Sequence, residues 1–214
     1  MSDSHHAPVQ GRTNWKRFGL AAGVVTTMTA AVLVMLSQGA LAASFVVSGQ
    51  QFKVSADRLY AEGFTNYGAV DARYGTRPGQ VLGEPVAVAS MKYAELNNMC
   101  QSVLTKLPIV GEVSLKLTAG TDKPVTATNL FVDMTQMDGD ATFTNIEIGR
   151  DASDLKKGPG QGMQGLFGQQ ADKVEILNLK QVAWATTAGQ FKLNGLHLEV
   201  NLGDEECFQD AEAS

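Results

Sequence analysis

Apolar and polar residues alternate with a period of two at several places along the chain. Phe52-Lys53-Val54-Ser55, Val113-Ser114-Leu115-Lys116-Leu117 and Phe143-Thr144-Asn145-Ile146-Glu147-Ile148 follow this pattern. So does Leu196-His197-Leu198-Glu199-Val200-Asn201-Leu202. A strand puts successive side chains on opposite faces, so each run predicts a strand with one apolar face and one wet face. Gly120-Thr121-Asp122-Lys123-Pro124, Asp138-Gly139-Asp140 and Ala188-Gly189 supply turn chemistry between the runs. Three segments share a template: Val54-x-Ala56-x-x-Leu59, Val125-x-Ala127-x-x-Leu130 and Val174-x-Ile176-x-x-Leu179, each followed by a glycine (Gly68, Gly139, Gly189). This echo reads either as a two-strand unit repeated and stacked on a shared face, or as chance recurrence in a strand-rich chain. One segment departs from period two. In Tyr93–Leu107 the apolar positions Leu96, Cys100, Val103, Leu104 and Leu107 fall at helical spacing, and Pro108 ends the run. The expected fold is therefore mainly β, with stacked two-strand repeats in a solenoid-like or sandwich-like sheet, one short helix and one disulfide.

The amino terminus carries a different pattern. Residues 1–17 are polar and end in Trp15-Lys16-Arg17, and residues 18–36 hold no formal charge. Ala40-Leu41-Ala42-Ala43 follows as a small-x-small site. A basic region, an apolar region and such a site compose a secretory signal cut after Ala42. Nineteen uncharged residues also come close to spanning a hydrocarbon core, so a retained membrane anchor over residues 18–36 is the rival reading. Either way the basic flank keeps residues 1–17 cytoplasmic, assigns 18–42 to a signal peptide or anchor, and makes 43–214 an exported β domain.

Charge and cysteine content sharpen this picture. The 214-residue chain has 17 basic and 22 acidic residues, a net charge of −5. Removing Arg12, Lys16, Arg17 and Asp3 with the leader leaves 14 basic and 21 acidic residues, a net charge of −7. Such a surface is unsuited to nucleic acid and is repelled by anionic lipid. Cys100 and Cys207 are the only cysteines and both lie in the exported part. In an oxidising compartment they read as one structural disulfide; a redox couple would more commonly sit as C-x-x-C.

Candidate chemistry is sparse. His197 is the one histidine after residue 42. It is either a general base or a solvated strand histidine, and alone it cannot build a histidine-rich zinc site. No G-x-S-x-G and no phosphate-binding glycine loop occurs, so no nucleophile elbow and no nucleotide cofactor is expected. Ser102 is the most interesting serine, because a Cys100–Cys207 bridge ties it to the chain that follows His197. Asp133, Asp138 and Asp140 read as surface carboxylates before they read as a calcium site, and no metal is expected. Trp184 reads as core. Gly158–Gly168 holds five glycines and one proline, which predicts a long flexible loop. Its Met163, Leu166 and Phe167 either form a lid or lipid contact or tuck back onto the sheet.

Ala94–Val103, Thr126–Gly149 and Asn178–Val200 carry a resemblance to an exported family of filamentous actinobacteria. That family is catalogued as a domain of unknown function, and some of its members are named cholesterol esterase. The resemblance covers about Ser44 to Phe208 and includes both cysteines. It implies an exported cell-envelope or secreted protein that handles lipid, with a lipid or sterol ligand. If the esterase name applies, it implies hydrolysis of a steryl ester by an activated serine, with His197 as the base and Ser102 as a candidate nucleophile. The alternative is a non-catalytic structural or assembly module of the envelope, whose sheet edges meet partners.

Overall fold

The computed structural model describes residues 46–209 apart from 48, 76, 78 and 79. The expected leader over residues 1–42 lies outside the described residues. Ten strands form one sheet: β1 (Val46–Val47), β2 (Phe52–Tyr74), β3 (Val81–Asn97), β4 (Met99–Leu107), β5 (Gly111–Ala119), β6 (Val125–Thr144), β7 (Glu147–Asp151), β8 (Phe167–Thr187), β9 (Gln190–Lys192) and β10 (His197–Leu202). β2 pairs with β3, β3 with β6, β6 with β8, and β8 again with β2, all antiparallel. The sheet thus closes on itself as a ring of four long strands, and closure satisfies edges that would otherwise be open. The shorter strands prolong these four. β4 continues β3 along β2 in the same register, with Leu59 facing Leu96 and Ser55 facing Cys100. Beyond the ring, β4, β5 and β10 run on as a three-stranded flap, and β10 forms one end of the strand order.

The main core holds all nine template positions: Val54, Ala56, Leu59, Val125, Ala127, Leu130, Val174, Ile176 and Leu179 are each buried. The shared template has a local cause. Its spacing is two residues and then three, where a regular strand would continue by two. Asn129 and Asn178 each precede the last template residue, and they have left-handed φ angles of 46° and 55°. A left-handed residue breaks the strict alternation of a strand, and here the next buried side chain falls three positions on. Asparagine tolerates that conformation far better than branched residues do. In the second and third segments the echo therefore marks a left-handed asparagine in a strand of one closed sheet, and the expected stack of two-strand units is replaced by that ring.

The same device corrects the expected helix. Tyr93–Leu107 is strand throughout, interrupted by Asn98 with φ 50°. Ala94 and Leu96 are buried, and the next buried apolar residue is Met99, three positions on. A left-handed residue in a strand reproduces the three-residue step of a helix. The described residues contain only a 3-10 turn, Ala152–Asp154. The expected turn at Asp138-Gly139-Asp140 is also strand, inside β6 where its register with β8 shifts.

Residues 155–166 form an irregular loop that packs over a second, smaller core cluster of Tyr67, Val86, Val88, Ala152 and Leu155. Its glycines permit close approach. A Cβ on Gly160 would fall 2.7 Å from the Tyr67 hydroxyl and 2.8 Å from Phe131 and Ser90 Oγ. The Gly160 amide donates to Ser90 Oγ at 2.9 Å, and Thr65 Oγ1 donates to the Gly160 carbonyl at 3.1 Å.

Candidate functional site

Antiparallel pairing puts facing residues on one side of a sheet. In the flap, Leu198 pairs with Leu117 and Leu117 with Gln101. Val200 pairs with Leu115 and Leu115 with Val103, while Leu202 pairs with Val113 and Val113 with Thr105. These nine residues form a face without a charged side chain. Its outer part is open: Leu115 is 40% exposed, Leu198 56%, Val200 67% and Leu202 77%. The adjoining hairpin tip is apolar too, with Leu107, Ile109 and Val110 exposed. Ile109 has a φ of 75°, a conformation that branched side chains strongly disfavour. The inner part of the face joins the ring: Leu117 packs on the main core, and Gln101 lines a cavity shared with Val54, Leu96, Met99 and Leu130. That cavity measures about 30 Å3, room for one or two waters. A drug-sized or larger apolar ligand needs several hundred Å3. This cavity is therefore too small for such a ligand, and the exposed apolar side chains of the flap lie outside the ring.

The opposite face of the flap is polar and covered by the carboxyl-terminal tail. The Glu205 amide donates to Ser114 Oγ at 3.2 Å and the Cys207 amide to Ser102 Oγ at 2.9 Å. Lys53 Nζ meets Glu206 Oε2 at 2.6 Å with both side chains nearly buried, and Cys207 is disulfide-bonded to Cys100. Ser102 is 1% exposed, and its oxygen accepts the tail's amide. His197 is exposed, with Nε2 3.6 Å from Glu199 Oε2. It pairs with Thr118, which pairs with Cys100, so it stands two strands away from Ser102 and two residues out of line. Strand spacing and rise put their Cα atoms roughly 12 Å apart. The fold does not bring these two together as nucleophile and base.

Met163, Leu166 and Phe167 are exposed. The loop that carries Met163 and Leu166 packs on Tyr67, Phe131 and Ser90, none of which belongs to the flap, so they do not form a lid over its apolar face. Asp138 and Asp140 are exposed on β6, where Asp138 accepts from Gln136 and Asp140 from Asn178. Among the described residues no group of three or more His, Cys, Asp or Glu is arranged to hold a metal ion.

The composition of the chain gave no warning of the most perturbed groups. Asp133 is half-buried on β6, and its pKa is pushed up to about 6 from 3.8 by desolvation first and by the charge of Asp71 second. Burial also raises Asp71, and it pushes Tyr67 up to about 12 with help from Asp133. Asp71 Oδ2 and Trp184 Nε1 are buried and have no hydrogen-bond partner among the described residues. Trp184 packs on the smaller cluster, with the Arg73 guanidinium 5.9 Å from its ring centre. The raised pKa of Asp133 means that the folded protein holds this proton more tightly than the unfolded chain. The associated stability is present below about pH 4 and is lost as pH rises to about 6. The Asp133→Asn variant is expected to flatten that decline, which urea-unfolding midpoints across pH 4–7 will measure. An unchanged slope would assign the decline to other groups.

Among the described residues no helix is long and apolar enough to cross a membrane. No curated protein and no solved structure shows detectable similarity to the chain. Residues 48–208, about three quarters of the sequence, match the profile of a family of unknown function, DUF6230, with both cysteines inside the match, and the chain belongs to that family.

Proposed function

We propose that the protein is an exported, non-catalytic lipid-handling module that lays the apolar face of β4, β5 and β10 against acyl chains. The observation that carries the reading is the charge-free face of the flap, with Leu198, Val200 and Leu202 more than half exposed and an apolar hairpin tip beside it. Monomeric soluble proteins rarely expose a contiguous apolar patch of this kind without a partner for it. Transfer of each of these side chains from water is worth roughly 1 kcal/mol or more. The net charge of −7 on residues 43–214 favours zwitterionic over anionic lipid. Hydrolysis gains no such support, because Ser102 holds the tail and His197 stands in solvent.

The test is flotation of residues 43–214, the product of cleavage after Ala42, with phosphatidylcholine vesicles. Wild-type protein is expected to float with the vesicles and to do so equally in high salt. The Leu198→Ser, Val200→Thr, Leu202→Ser triple variant removes about 3 kcal/mol of transfer energy and should bind about a hundredfold more weakly, with an unchanged thermal midpoint. Wild-type protein left in the unbound fraction would end this reading.

A further inference from the structure

We propose that β10 is an open edge through which two copies of this chain pair, antiparallel, with Val200 on the twofold axis. The inference stands apart from the lipid reading, since it uses the rim of the flap and not its face.

The two ends of the strand order are treated differently. β7, at one end, is blunted in the ways proteins use to block edge-to-edge association. It carries Glu147, Arg150 and Asp151, its Gly149 has a φ of 84°, and its register with β8 shifts between Ile148 and Arg150. Lys157 and Asp154 also form ion pairs with it. β10 has fewer of these devices, its one acidic residue being Glu199. It pairs with β5 over six consecutive residues without a shift, and it contains no proline, glycine or lysine. Among the described residues β5 is the only strand that pairs with it. An antiparallel strand turns alternate N–H and C=O groups away from its partner, so one side of β10 offers an unused row of donors and acceptors.

The sequence of β10 selects its own mirror. Antiparallel pairing keeps apolar residues on one face only if the facing residue numbers sum to an even value. Two such registers pair five residues of β10 in each copy. One centres on Glu199 and sets that carboxylate against itself, which opposes pairing. The other centres on Val200: Val200 faces Val200, Leu198 faces Leu202, and Glu199 faces Asn201. This second register has no like-charge contact and extends the apolar face of the flap unbroken from one copy into the next. A contact this small belongs with weak, concentration-dependent associations.

Cysteine crosslinking in the full-length chain tests the register, with Cys100 and Cys207 left paired. Under mild oxidation, Val200→Cys alone should give a disulfide-linked dimer several times more abundant than Leu198→Cys alone or Leu202→Cys alone. Mixing the latter two should restore the dimer. Crosslinking that is equal at all three sites, absent, or strongest at Leu198→Cys overturns the proposal. A charge variant on the other face supplies an independent reading by sedimentation. Asn201→Lys places a cation against Glu199 of the second copy and should lower the dimer dissociation constant several-fold, whereas Asn201→Glu should raise it several-fold. If the two variants behave alike, the pairing is wrong, and vesicle binding by the flap face is untouched by that result.

Discussion

Reduction of the Cys100–Cys207 bridge is expected to lower the thermal midpoint by roughly 8–20 °C. The two cysteines are 107 residues apart in sequence. Closing a loop of that length restricts the unfolded chain by roughly 4–5 kcal/mol on the chain-entropy account. The bridge also anchors the tail, whose Cys207 amide reaches Ser102 and whose Glu206 meets Lys53. Releasing the tail exposes Ser102, Ser114 and Lys53, which are buried beneath it. The Cys100→Ser, Cys207→Ser double variant should match the reduced protein. Urea and thermal unfolding with and without reductant give the measurement, and coincident curves would contradict the role assigned to the bridge.

The second large effect is expected at Phe64. It is among the largest fully buried side chains and packs against Phe143 at a ring separation of 5.7 Å. Phe64→Ala removes a whole phenyl ring from the inside of a closed sheet that has little freedom to collapse, and should cost about 3–5 kcal/mol. Phe64→Leu retains much of the volume and should cost clearly less. A loss under 1 kcal/mol for the alanine variant would show that the ring relaxes around the void. Both variants are measured by urea unfolding at constant pH.

The strand content of this fold is legible in the residues, and so are its interior positions, because alternation reports which side chains share a face. The nine template residues were recognisable as a set, and all nine are buried together. Their arrangement was hidden by Asn98, Asn129 and Asn178. Each has a left-handed φ, and the three-residue step that goes with it resembles a helical period or a repeat boundary. Ring closure was not legible, since it depends on pairing between β2 and β8, and no local pattern records partners so far apart. The flap shows the limit of alternation most clearly. Leu196–Leu202 announces one apolar face, and the structure leaves that face open while Glu199 and Asn201 are partly covered. Period two distinguishes the faces of a strand but carries no information about which one the rest of the chain will cover. The pairing of Cys100 with Cys207 followed from the count alone. The use of Ser102 to grip the tail did not, because a serine reads the same whether it binds a backbone amide or attacks a carbonyl.

Closure of the ring constrains how the polypeptide can be made. β2 meets β8 through residues 101 to 131 positions apart, from Tyr67 with Gly168 to Phe52 with Ala183. A growing polypeptide must therefore carry Phe52–Tyr67 with one flank bare until synthesis has passed Phe167. Pairing of such distant segments is slow, and bare strands invite association with other chains in the meantime. Premature termination anywhere before Phe167 should yield an aggregation-prone fragment, while a chain that ends just after β10 lacks only the latch and can still form the cylinder.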